Sequence, residues 1–235
     1  RLLCGDATKK EDVEALMDGQ KADMVFTDPP YGMNLDTDYS KIKGSKKLRK
    51  DNPNLPPLIG KKWEKVEGDD KAFDAEFLIN LAKEVFLFGG DYYVETLPNF
   101  GKDGSWLVWD KRSEETDIII GNTFEMLWSK VKHKRQVIRY KWVGILGMSN
   151  QDSKKRLHPT MKPIQVLDFI LSKYSKKENI ILDLFLGSGS TLIACEKTNR
   201  KCYGMEIDPH YCDVIVKRWE EYTGKKAERV EAASA

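Results

Sequence analysis

Short apolar runs rich in β-branched and aromatic residues alternate along the chain with stretches whose apolar positions recur at helical spacing. That alternation is the pattern of a mostly parallel sheet covered by helices, an α/β layered fold. Strands are expected over residues 2–4, 23–27, 85–88, 106–109, 124–128, 180–184 and 203–206, and helices over 9–17, 72–83, 163–173 and 209–222. Pro163 suits the first turn of its helix. Residues 34–70 break the pattern, being rich in Lys, Asp, Pro and Gly with little periodicity, and read as a long loop or small insertion. Segments of that length are usually functional or disordered. No internal repeat is visible.

Composition bounds the class. With 235 residues and 40% hydrophobic content, one compact domain over 1–235 is expected, with a core large enough to stand without disulfides. Cys4, Cys195, Cys202 and Cys212 lack the paired short spacing of zinc ribbons or redox motifs and read as ordinary intracellular thiols. Cys202, His210 and Cys212 read as buried structural residues rather than a metal site. No apolar run approaches membrane-spanning length, and Arg1-Leu2-Leu3-Cys4 lacks the anatomy of a signal peptide, so the cytoplasm is the expected compartment.

The net charge of +2 does not by itself announce a nucleic-acid binder. The basic residues are clustered, however. One group contains Lys41, Lys43, Lys46, Lys47, Arg49, Lys50, Lys61, Lys62 and Lys65 with Trp63. The other contains Lys130, Lys132, His133, Lys134, Arg135, Arg139 and Lys141 with Tyr140 and Trp142, and leads on to Lys154, Lys155 and Arg156. Either alone reads best as a solvated loop, but two clusters flanking a reactive motif favour phosphate contacts.

Two motifs carry chemistry. The first runs from Asp183 through Leu184, Phe185, Leu186, Gly187, Ser188, Gly189 and Ser190 to Thr191, a strand, a small-residue turn and a helix start. Ligands bind at such carboxyl ends of parallel strands. A nucleoside-triphosphate loop would need a lysine before Ser190-Thr191, and a dinucleotide loop a glycine where Leu192 stands. An adenosine cofactor without phosphates remains, with Glu206 ending the next strand where a carboxylate would accept from ribose hydroxyls.

The second motif, Asp28-Pro29-Pro30-Tyr31, ends an apolar strand and is more specific. Its prolines fix the backbone and offer carbonyls without N–H donors. An exocyclic base amine is a poor nucleophile because its lone pair is delocalised into the ring. The Asp28 carboxylate and the Pro29 carbonyl, set against the two N–H bonds, would localise that pair and aim it at an electrophile. Tyr31 would then offer a ring face to a base drawn out of the duplex. An ordinary Asp-Pro turn is the competing reading.

On these two motifs the chain resembles the amino-methyltransferase family of DNA methyltransferases, in the permuted group whose catalytic motif precedes the cofactor loop. The resemblance covers nearly the whole chain. It implies S-adenosylmethionine as cofactor, with S-adenosylhomocysteine as product, and a circularly permuted form of the seven-stranded Rossmann-like methyltransferase sheet with an antiparallel hairpin near one edge. By the same resemblance, Asp28, Pro29, Pro30 and Tyr31 are catalytic, with Asp28 also touching the cofactor. Asp183, Phe185, Gly187, Ser188, Gly189, Ser190 and Thr191 form the cofactor loop, and Glu206 is the ribose carboxylate. His158, Thr160, Lys162 and Pro163, in His158-Pro159-Thr160-Met161-Lys162-Pro163, bind the methionine end of the cofactor. Asp6 and Ala7, in Gly5-Asp6-Ala7, contact its adenine, Asp6 accepting from the amino group. The segment 124–130 matches the family's late strand.

The permuted order implies a definite topology. Only two strands are expected after the glycine loop, so the others come from the N-terminal part: 2–4 beyond the Glu206 strand, and 23–27 beside the Ile180 strand, bringing Asp28 next to Gly187. The mechanism this implies is direct displacement, the amine attacking the sulfonium methyl and losing its extra proton afterwards, with Asp28 as hydrogen-bond acceptor and either Asp28 or water as the proton acceptor. His158 could be offered as a general base, but its matching segment implies cofactor binding, and a lone histidine is often structural.

The Asp28 form of the motif favours adenine N6 in double-stranded DNA over cytosine N4, where the family more often carries Ser. RNA or protein-amide methylation and an inactive nucleic-acid-binding module are the alternatives, although amide enzymes place the cofactor loop before the catalytic motif. Segments 34–70 and 131–153 are the expected DNA-facing insertions. A homodimer, a partner restriction endonuclease in a bacterial or phage system, or a missing domain of a longer chain are the further partners the resemblance implies.

Overall fold

The apolar runs form the strands of one eight-stranded sheet, and the order of those strands brings the two motifs together. The computed structural model describes residues 1–38, 62–114, 121–142 and 157–230. In chain order the elements are β1 (Leu2–Cys4), α1 (Lys10–Met17), β2 (Met24–Thr27), α2 (Glu76–Ile79), β3 (Glu84–Phe88), two 3₁₀ turns (Val94–Thr96 and Pro98–Gly101), β4 (Ser105–Asp110), β5 (Phe124–Ser129), β6 (Gln136–Arg139), α3 (Ile164–Tyr174), β7 (Ile180–Asp183), α4 (Ser190–Thr198), β8 (Lys201–Glu206) and α5 (Pro209–Thr223). The sheet order is β1-β8-β7-β2-β3-β5-β4-β6, and every pairing is parallel except the two made by β5.

The expected adjacencies hold, with β1 beyond β8 and β2 between β7 and β3. The sheet has one strand more than expected: β6 pairs with β4 at the edge, inside a segment read from sequence as insertion. Among the described residues a single strand, β8, follows the glycine turn rather than two.

Alternation along each strand explains why the sheet is covered on both faces. Met24 and Phe26 of β2, with Phe86 and Phe88 of β3, join one core, packed by Val166, Leu167, Ile170 and Leu171 of α3, Ala194 and Cys195 of α4 and Ile215 of α5. Val25, Val85 and Leu87 point the other way, into a core closed by Val13, Leu16 and Met17 of α1 and by Leu78 and Ile79 of α2. Successive side chains of a strand face opposite sides, so a parallel sheet between two helical layers needs apolar residues at every position. Residues 24–27 are buried throughout.

The helix expected over 72–83 shrinks to the four residues of α2. Tertiary partners take the backbone groups that a longer helix would have used: Thr96 Oγ1 accepts from Ala75 N–H, and Lys130 Nζ donates to the carbonyls of Ile79 and Ala82. Phe73 instead packs edge-on against Phe185 and Tyr93.

The basic clusters are also redistributed. Lys130 is spent on those carbonyls, His133 pairs with Glu84 at 2.7 Å, and Tyr140 and Trp142 pack on the core. Because β5 runs antiparallel to its neighbours, residues 130–135 turn at the end of the sheet opposite to Asp28 and the glycine loop. That part of the expected DNA-facing segment 131–153 is therefore displaced from the site. Lys41, Lys43, Lys46, Lys47, Arg49, Lys50, Lys61, Lys154, Lys155 and Arg156 lie outside the described residues.

Candidate active site

The site is built where β2, β3, β7 and β8 end. Thr27, the last residue of β2, donates its hydroxyl proton to Asp183 Oδ1 at the end of β7, 2.6 Å away, which ties the two motifs together in the sheet itself. Asp28 follows Thr27. Its Oδ1 accepts from the Tyr31 hydroxyl at 2.7 Å, and its Oδ2 accepts from Lys162 Nζ. Lys162 also faces Glu125 Oε2 at 3.5 Å, and Lys111 Nζ lies 2.6 Å from Glu125 Oε1. Burial raises the Asp28 carboxyl above its ordinary range, against the pull of Lys162. Glu125 is also pushed up by burial, but Lys162 and Lys111 outweigh that and hold it below its ordinary value.

Tyr31 is fixed on several sides. Its ring stacks on Tyr92 with centroids 4.9 Å apart at 11°, so one face is already covered. Gly89, just past β3, lies against the same ring with φ +67: a Cβ there would come within 2.2 Å of Tyr31 Cε1. Burial raises the Tyr31 phenol well above its ordinary value, and the Asp28 charge adds to this, so it remains a hydrogen-bond donor. The backbone after it wraps around one carboxylate. Asp69 Oδ1 accepts from the amides of Tyr31, Gly32 and Met33 at 3.0, 2.9 and 3.3 Å, and Asp69 Oδ2 accepts from Leu35 N–H at 2.8 Å.

The glycine turn needs its glycines. Gly187 and Gly189 take left-handed φ of +55 and +78, a region that side chains disfavour. A Cβ on Gly189 would also meet Ile215 at 3.1 Å. Gly187 N–H donates to Glu206 Oε2 at 2.7 Å and Asp208 N–H to Glu206 Oε1 at 3.0 Å, which aims the carboxylate across the turn. Arg218 Nη1, from α5, donates to the Ser188 carbonyl at 2.8 Å and clamps the same turn. His158 Nδ1 accepts from Thr160 N–H at 3.2 Å, and its ring sits edge-on to Tyr211. Asp6 Oδ1 accepts from Thr8 N–H at 2.9 Å and from the Thr8 hydroxyl at 2.7 Å, and these bonds lower its pKa.

Most of these groups open into one cavity of about 1320 Å³. Asp6, Ala7, Asp28, Pro29, Pro30, Tyr31, His158, Thr160, Lys162, Asp183, Phe185, Gly187, Ser188, Ser190, Thr191 and Glu206 all line it. Two expected residues do not. Pro163 starts α3 as its N-cap, buried beneath the segment that carries Lys162, and Gly189 starts α4 and lets α5 approach. Lys162 sits against Asp28 and Glu125, on the catalytic side of the cavity.

Sequence reasoning missed Asp69, Tyr92, Lys111, Glu125 and Arg218. Only Glu125 had a sequence signal, a charge within the otherwise apolar run Phe124-Glu125-Met126-Leu127-Trp128. Burial raises the carboxyls of Asp28, Glu206 and Asp183, the last to about 6, so their anions lack solvent and favour a positive partner. The Phe185 ring and the Asp6 carboxylate line the same cavity.

The fold is the Rossmann-like fold of methyltransferases. The Thermus thermophilus protein TTHA0409, solved with S-adenosyl-L-methionine, superposes with a TM-score of 0.55 at 19% identity, over 98% of this chain and 99% of that one. The PvuII DNA methyltransferase, which is cytosine-N4-specific, superposes with a TM-score of 0.55 at 13% identity, over 95% of this chain and 89% of that one.

The family model described as DNA methylase matches residues 106–217. The type II methyltransferase M.HinfI of Haemophilus influenzae is 24% identical over 94% of this chain and 68% of its own length. M2.LlaDCHI of Lactococcus lactis subsp. cremoris is 24% identical over 85% of this chain and 82% of its own. The chain is therefore similar to DNA methyltransferases, with the family model covering just under half of it.

Proposed function

We propose that this protein transfers a methyl group from S-adenosylmethionine to N6 of an adenine turned out of double-stranded DNA. The observation that carries the reading is the meeting of the Asp28 carboxylate and the Glu206 carboxylate in one cavity, across strand ends that β2, β7 and β8 bring side by side. Bound S-adenosylmethionine would be held by Asp6, Phe185, the Gly187 turn, Glu206 and the His158-Pro159-Thr160 segment, and it supplies an electrophilic methyl on a positively charged sulfur.

The chain's own part is to prepare the amine. Asp28 accepts one amine N–H and the Pro29 carbonyl the other, which draws the nitrogen lone pair out of conjugation with the base. The Tyr31–Tyr92 stack gives the base a rigid aromatic edge to pack against. The low exposure of Lys162 and Asp28 strengthens these contacts. Asp28, whose carboxyl burial raises, is the group suited to take the amine's surplus proton. His158 is less suited, because its Nδ1 is engaged by Thr160.

Adenine is preferred over cytosine because Asp, rather than Ser, opens the catalytic motif. The type II relatives suggest a restriction-modification setting in the cytoplasm. The test is transfer of labelled methyl from S-adenosylmethionine to duplex DNA of mixed sequence, followed by digestion to nucleosides, with Asp28→Ala as control. N6-methyladenine that vanishes in the variant is expected. N4-methylcytosine would reassign the base, and no label in DNA would overturn the reading.

A further inference from the structure

Behind the catalytic turn, one buried and three partly buried charges form a row of alternating sign: Lys111, Glu125, Lys162, Asp28. At rest Asp28 is fully engaged, Oδ1 by the Tyr31 hydroxyl and Oδ2 by Lys162. Both of its oxygens are then occupied, so Lys162 must release Oδ2 before a proton can settle there.

Glu125 is arranged the other way. Lys111 fixes its Oε1 at 2.6 Å, while its Oε2 is buried and makes no hydrogen bond among the described residues, although Lys162 Nζ stands 3.5 Å away. Buried acceptors are normally satisfied, and one held next to a three-proton donor is a vacant second seat for that donor.

We propose that Lys162 is a positioning residue that exchanges between two carboxylates, bonded to Asp28 at rest and to Glu125 once Asp28 takes a proton from the methylated amine. This rests on the amine-methylation reading above. In the step, an N–H bond of the cationic methylated amine breaks and its electron pair stays on nitrogen. An O–H bond forms at Asp28, which becomes neutral. Lys162 stays an ammonium throughout and keeps one anion as partner, so no buried charge is orphaned and nothing is oxidised or reduced.

The groups that face this row are Tyr31 from the turn after β2, Asp91 and Tyr93 from the turn after β3, and Asp183 from the end of β7. Burial and the Glu125 charge push Asp28 up, whereas Lys162 and Lys111 hold Glu125 down. Two carboxyls pushed apart in this way divide the work, one exchanging a proton and the other remaining an anion.

Two experiments test the exchange. Asp28→Asn copies the neutral state of Asp28 and needs neither DNA nor cofactor. In its crystal structure Lys162 Nζ should have moved to within about 3 Å of Glu125 Oε2, and a lysine still bonded to residue 28 would overturn the proposal. Glu125→Gln removes the second anion. In that variant kcat for methyl transfer should fall at least 10-fold with KM for DNA unchanged, and the acid limb of kcat should move to lower pH. A loss of folding alone would lower activity without moving the limb, so an unmoved limb overturns the proposal too. If the wild type methylates no DNA, the function proposed above fails, while the Asp28→Asn structure still decides whether Lys162 exchanges.

Discussion

Replacing Asp69 by alanine should loosen the catalytic turn more than the rest of the molecule. The side chain is 6% exposed and its carboxylate accepts from Tyr31, Gly32, Met33 and Leu35 N–H. Hydrogen bonds to a charged group contribute roughly 1.5–3 kcal/mol each, and a buried amide left without a partner costs about 1–3 kcal/mol. The Met33 bond is long at 3.3 Å, and the turn borders a cavity that water can enter, so the lower end applies. About 3 kcal/mol in total is expected, on the order of 1 kcal/mol for each of the three shorter bonds.

For a chain of this length, 1 kcal/mol moves Tm by about 2–4 °C, so a drop of about 6–12 °C is the ceiling. Residues 31–35 can open locally without unfolding the sheet, which would cap the global loss below that figure. Methyl transfer should then fall further than stability, because Tyr31 loses the backbone anchor that holds its hydroxyl on Asp28. Thermal melts read the first quantity and initial rates on DNA the second. An alanine variant melting within about 2 °C of wild type and retaining full activity would refute the reasoning.

Gly89→Ala should lower stability by about 2–4 kcal/mol, combining left-handed strain with overpacking against the Tyr31 ring, as read by urea denaturation. Glu206→Gln should weaken S-adenosylmethionine binding about 10- to 100-fold in calorimetry, and it should also lower Tm, because the amide keeps a single acceptor oxygen for the two backbone N–H groups of Gly187 and Asp208. Asp183 predicts a pH dependence: burial raises its carboxyl to about 6 in the folded protein, from 3.8, so the folded state binds that proton more tightly. The neutral form's contribution is therefore complete below the unfolded value and fades as pH rises through about 6, for a total of about 3 kcal/mol. Urea unfolding of wild type and Asp183→Asn between pH 4 and 7 should show wild type losing that much relative to the variant, and a difference independent of pH would contradict the assignment.

The layered α/β architecture, most strand positions and the two motifs were legible in the order of residues. A strand buried on both faces is apolar throughout, and a turn with left-handed φ needs glycine, so local chemistry left a local mark at residues 24–27 and at Gly187 and Gly189. The adjacency of β2 and β7 was implied by the resemblance to the permuted family, whereas the Thr27 hydrogen bond to Asp183 came only from the structure.

What tertiary structure alone decided concerns partners distant in the chain. Nothing local to Asp69 marks it as the acceptor for the amides after Tyr31, and nothing near Lys162 shows that its ammonium faces Asp28 and Glu125. The short α2 and the far-end placement of residues 130–135 are of the same kind. In each case a backbone or charged group is satisfied by a residue dozens of positions away. Burial makes that partner obligatory, and only the closed fold selects which residue it is.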